Sequence, residues 1–149
     1  MKRFRFPLDR VRQFRKMQME SEHAKLEQIY ARLHSIESLT AELGRQKRQA
    51  ETSVVSAASV AGLELNSLKE FRTYARKMTS VFQLRRAKIE AEIELQRQAL
   101  LEARRKYEML DRLRSRSRSK WQYEFDREQD QLAAEVHLAG WNRLHGSFS

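Results

Sequence analysis

Proline occurs once in this chain, at Pro7, and glycine only at Gly44, Gly62, Gly140 and Gly146. These are the residues that break helices and close turns. A chain of 149 residues almost without them has few places at which to reverse direction. Charged residues instead alternate with single or paired apolar ones along nearly the whole length. The exception is Thr52–Leu63 (TSVVSAASVAGL), which carries no charge. That interruption divides the chain into a shorter first arm and a longer second arm, and the pattern on either side predicts long helix.

In the first arm Leu26, Ile29, Leu33, Ile36 and Leu43 recur at alternating three- and four-residue steps, with Thr40 in the one gap and Glu22 and Met19 continuing backward. This is the a/d seam of a coiled coil. Pro7 suits a first helical turn, where its missing N–H costs nothing, and Asp9 suits the positive end of the helix dipole. The first helix is therefore expected from about residue 7 to about 52. Ser67-Leu-Lys-Glu70 fits a capping box and predicts a second helix from about 67. Its seam runs through Leu68, Phe71, Ala75, Met78 and Phe82, shifts register near Arg85, and resumes at Ile89, Ile93, Gln96, Leu100, Ala103, Tyr107 and Leu110. It continues through Arg114 and Ser117 to Trp121, Phe125, Leu132 and Val136. Gly140 reads as the C-terminal stop, which leaves 140–149 as a loose tail and 53–66 as the tip.

The fold class these elements predict is all-α: a single antiparallel two-helix coiled coil, or helical hairpin. At 1.5 Å per residue the first arm is about 65–70 Å long and the second about 110 Å. With the reversal near residue 60, Leu8 should lie opposite a residue near 112, and everything after about Ser115 should overhang. The overhang would then carry Trp121, Phe125, Leu132 and Val136 as an apolar stripe without an intramolecular partner, the usual mark of a binding surface.

The formal net charge is +10, from 30 basic and 20 acidic residues. The excess is greatest in the first third, above all in Lys2, Arg3, Arg5, Arg10, Arg12, Arg15 and Lys16. Such a cluster favours acidic partners, whether nucleic acid, anionic lipid or protein. No nucleic-acid reader motif or aromatic stacking platform accompanies it. The alternating run Arg114–Lys120 (RSRSRSK) reads as a solvated basic stretch of helix rather than an RNA-binding domain. The absence of cysteine excludes disulfides and thiol chemistry. No apolar run reaches the length of a membrane span, so no direct membrane insertion is expected. His23, His34, His137 and His145 show no metal spacing, and Glu90, Glu92 and Glu94 point around the helix rather than at one another. No phosphate loop or catalytic set is legible, so neither catalysis nor a cofactor is expected. Phe71, Ala75, Met78 and Phe82 are either plain seam or, lying beside the tip where the helices splay, a less covered patch that Tyr74 would extend.

Three segments carry a resemblance. The opening FRFPLDRVRQFRKMQMESEHAKL is similar to the start of the flagellar type III export protein FliJ family. LKEFRTYARKMTSVF resembles the segment after that family's hairpin tip, and EFDREQDQLAAEV looks like its late second helix. The resemblance implies a coiled-coil stalk like the gamma subunit of rotary ATPases, cytoplasmic and peripherally associated with the inner membrane at the flagellar base. It implies three partners: the flagellar export ATPase, the export-gate membrane protein and the export chaperones. The gate contact would fall on Phe71, Ala75, Met78 and Phe82, with a first-helix part near Glu37 to Arg48. The end bearing the termini would enter the ATPase ring, which here means Arg10, Arg12, Arg15 and Lys16 with Trp121, Phe125, Leu132 and Val136. A monomer without specific nucleic-acid binding is expected. The alternatives are an equivalent stalk of an injectisome secretion system, a basic nucleic-acid-binding coiled coil and a self-associating structural rod.

Overall fold

The computed structural model describes residues 3–57 and 62–146. Among them the chain is helical apart from short flanking segments, with α1 at Asp9–Val55 and α2 at Gly62–His145. The two long helices pack against each other as a helical hairpin.

The helix ends differ from expectation, and each difference has a local cause. Pro7 and Leu8 form a turn ahead of α1, closed by the Asp9 N–H donating to the Phe6 carbonyl at 3.2 Å, so the helix starts at Asp9. At the other end, the Thr52 hydroxyl donates to the Arg48 carbonyl and the Ser56 hydroxyl to the Thr52 carbonyl. Hydroxyls bonded back along the helix do not terminate it, and α1 reaches Val55. The capping box at Ser67 does not operate: α2 is already helical from Gly62, with Glu64 in its first turn. Leu63, Glu64 and Leu65 are good helix formers, and a capping signature inside a helix is only sequence. Gly140 is likewise interior, because α2 continues to His145 with Arg143 and His145 in its last turn. A helical glycine costs about 1 kcal/mol relative to alanine, too little to stop a helix whose last turn suits the dipole. Of the expected tip, 58–61 lie outside the described residues, as do 147–149 of the expected tail.

The chain divides into two compact units. In the first, Met19–Glu102, Ile36, Leu43, Ala75, Phe82, Ile89 and Ile93 form a buried cluster, with Leu26, Ile29, Leu33 and Met78 packed against it. These are the seam residues of both arms. Polar contacts border them: the Gln96 side chain donates to the Glu22 carbonyl at 3.0 Å, Arg32 pairs with Glu92, Arg86 meets Glu37 at 3.5 Å, and Arg72 meets Glu51 at 3.1 Å. As the α1 number rises the α2 number falls, so the pairing is antiparallel. Arg85, at the shift of register, is exposed.

In the second unit, Met1–Gln18 with Ala103–Ser149, the seam mixes charged and aromatic side chains with one buried aliphatic residue. Leu110 is buried, and next to it lies the Arg12 guanidinium, 3.1 Å from Asp9, 3.3 Å from Asp111 and 3.4 Å from the Tyr107 hydroxyl. Arg114 approaches Asp9 at 3.7 Å. Beyond it, the Phe4 ring packs on Trp121 with centroids 5.9 Å apart. The overhang therefore does not begin near Ser115. Residues 3–6 are not helical, and non-helical chain rises up to about 3.3 Å per residue against 1.5 Å in helix. The short step from Asp9 to Phe4 thus matches the longer step from Arg114 to Trp121. From Asp126 to Ala139, every residue of α2 is exposed.

Candidate interaction surfaces

Near the tip, the four residues proposed for a contact belong to the hairpin's own interior. Ala75 is 3 % exposed and Phe82 7 %, while Phe71 and Met78 are half-buried. They follow the a/d steps of α2, so the face that unites them is the face α1 covers. What solvent meets here is Tyr74, 54 % exposed, its ring 6.4 Å from that of Phe71. An open cleft of about 430 Å³ separates the last turns of α1 from the first turns of α2, lined by Ala50, Val54, Leu63, Leu68 and Phe71 among others. Phe71 is the one member of the expected quartet that reaches this opening. On α1, Glu37 is exposed and pairs with Arg86, Glu42 pairs with Arg45, and Leu43 is buried.

At the end bearing the termini, the residues separate into two groups. Arg12 is engaged within the chain; its hydrogen bond to Asp9, helped by the charges of Asp9, Tyr107 and Asp111, raises an already high pKa. Arg15 is half-buried, donates to Gln18 at 3.0 Å and lies over the Phe14 ring. Trp121 is covered by Phe4 and stacks on Phe125 at 5.3 Å. Arg12 and Trp121 thus serve the hairpin's closure rather than a free surface, while the contacts of Arg15 stay within α1. Arg10, Lys16, Leu132 and Val136 are exposed. On the helical wheel Leu132 and Val136 prolong the line of Trp121 and Phe125, beyond the ring of Phe4 that packs on Trp121. A second opening, about 390 Å³, lies between Arg3, Phe4, Arg5, Phe6, Asp9 and Arg114.

The inward turn of Arg12 and the half-buried position of Arg15 are readable in principle. The three-four steps of α1, carried back from Met19, land on Arg15 and then Arg12, so both belong to the seam. The same steps on α2 select Tyr107 and Asp111 or their neighbours as partners. The role of Phe4 carried a weaker signal, an aromatic alternating with Phe6 ahead of the only proline. In the Met19–Glu102 unit, Glu22 occupies a seam position too. The Gln96 amide and then Lys25 donate to it, and these bonds hold its pKa below the ordinary 4.5.

Among the described residues no group of acidic or histidine side chains is arranged to hold a metal ion, and no helix is long and apolar enough to cross a membrane. Comparison with protein-family models, curated proteins and solved structures finds no match to this chain.

Proposed function

We propose that this chain is a non-enzymatic coupling stalk of the flagellar type III protein export apparatus. It would act in the cytoplasm at the inner-membrane base of the flagellum. In this reading the end bearing the termini engages the ring of the export ATPase, the tip side meets the export gate, and export chaperones bind along the exposed flanks. The observation that supports it most is the continuation of α2 beyond its cover. Leu132 and Val136, 54 % and 72 % exposed, prolong the line of the hairpin seam and stay open to solvent among the described residues. A helix end that is apolar on one side and charged elsewhere suits insertion into a protein sleeve. The two-helix hairpin and the three resembling segments point the same way. On the tip side, Tyr74 and the cleft beside Phe71 are the surface a gate protein would touch, in place of the buried Ala75 and Phe82.

The test uses the full chain. Leu132→Glu with Val136→Glu changes two exposed positions and should leave helical circular dichroism unaltered. It should abolish co-purification with the flagellar export ATPase and stimulation of ATP hydrolysis. Full stimulation by the double variant would remove the overhang from the ring contact. A wild-type pull-down that recovers nucleic acid and no ATPase would replace the stalk with a basic nucleic-acid-binding coiled coil.

A further inference from the structure

The charge of α2 changes sign at Gln122. Backward at every second residue stand Lys120, Arg118, Arg116 and Arg114; forward stand Glu124, Asp126, Glu128 and Asp130. On a helix these fall into two rows of i, i+4 neighbours on opposite sides. One row contains Arg114, which faces the chain's own N-terminal segment through Asp9. The other, Arg116–Lys120–Glu124–Glu128, is exposed throughout, and none of its members forms an ion pair among the described residues. Lys120 precedes Glu124, the less favourable order for a pair within one helix, and the two do not bond.

Read along the helix, this row is basic, basic, acidic, acidic. Turned end for end about a two-fold axis at the level of Gln122, it becomes its own complement. Arg116 then stands level with Glu128 of a second copy, Lys120 with Glu124, and the symmetry repeats both pairs. A parallel copy would set like charge against like. A uniform polyanion, such as nucleic acid or an anionic membrane, would be drawn by half the row and repelled by the other half. Tyr123, 69 % exposed and beside the sign change, adds an aromatic contact near the axis. We propose that this chain self-associates as an antiparallel two-fold pair through the Arg116–Lys120–Glu124–Glu128 row of α2. The interface is isologous, as two-fold contacts are. It does not depend on the stalk reading, although it occupies the same stretch of α2, so pairing and ring insertion exclude each other.

Sedimentation of the full chain tests the proposal. At an ionic strength of about 0.1 M, where the screening length is about 10 Å, a concentration-dependent dimer is expected. At about 1 M, where that length is about 3 Å, the association constant should fall at least about tenfold. Two variants make the test specific: R116E/K120E, whose row is wholly acidic, and E124K/E128K, whose row is wholly basic. With native helical content confirmed by circular dichroism, each alone should be monomeric where the wild type is dimeric. An equal mixture should restore the dimer. A wild type that is monomeric at every concentration overturns the proposal and leaves the row to a different protein. Dimerisation by either variant alone as strong as that of the wild type, or failure of the mixture to pair while the wild type does, also overturns it.

Discussion

Between Met19 and Glu102 the two helices meet through hydrocarbon; in the unit of Met1–Gln18 with Ala103–Ser149 they meet largely through arginine, aspartate and aromatic rings. The same three-four geometry serves both, but the seam residues differ. Ile36, Leu43, Phe82, Ile89 and Ile93 stabilise by leaving water, a contribution of about 1.5–3 kcal/mol for each large side chain fully buried. Arg12, Asp9 and Asp111 keep partial access to solvent, where an ion pair is worth about 0–1 kcal/mol. The comparison teaches that a seam can hold register without supplying much stability. A charged seam selects its partner, because Arg12 accepts only the level of α2 that offers Asp111 and Tyr107.

The most direct attempt to break this contrast is Phe82→Ala, which should lower the free energy of unfolding by about 2–4 kcal/mol, read from urea denaturation. The loss from Phe71→Ala, half-buried at the cleft, should be less than half as large. Equal and small losses would mean that the apolar seam is not the main source of stability. Next in size is Arg12→Ala. It leaves Asp111 without its cation and Asp9 with Arg114 alone, both carboxylates about two-fifths exposed, and should cost about 0.5–1.5 kcal/mol. Hydrogen exchange should quicken in residues 9–18 while amides around Ile36 and Phe82 keep their protection; loss of protection in both places would make the two seams one cooperative element. The smallest effect belongs to Glu22, a charge inside the apolar unit. Its folded pKa lies below 4.5, so its stabilisation is present above that value and is lost as pH falls through the folded pKa. Glu22→Gln should therefore cost under about 1 kcal/mol at neutral pH. The difference should shrink as pH falls below 4.5 and vanish once pH has dropped past the folded pKa, as denaturation midpoints across an acid series would register.

The hairpin was legible because burial on a two-helix seam demands one apolar residue every three or four, and Leu26 to Leu43 and Leu68 to Leu110 meet that demand almost without exception. Helix ends were less legible. Ser67 and Gly140 carry end signals of about 1 kcal/mol, which continuing helix formers outweigh. The overhang starts later than helical rise alone predicts, because Arg3–Phe6 are not helical and Phe4 reaches Trp121. The candidate contact residues were hardest to place. A seam residue and an exposed apolar residue look the same in sequence; what separates Phe125 from Leu132 is the non-helical segment ahead of α1, whose Phe4 packs on the neighbouring Trp121. Arg12 hid its role because a basic residue in a basic segment reads as solvated, although its spacing assigns it to the seam.

The packing of Phe4 on Trp121 has an optical consequence. Trp121 is half-buried there, whereas Trp141, the other indole of the chain, is 53 % exposed and stacked on His145. With Trp141 replaced by phenylalanine, the emission maximum would come from one fluorophore, blue-shifted while the N-terminal strap is docked and red-shifted once it lifts. Any event at this end would announce itself in the colour of its own tryptophan, with no dye attached.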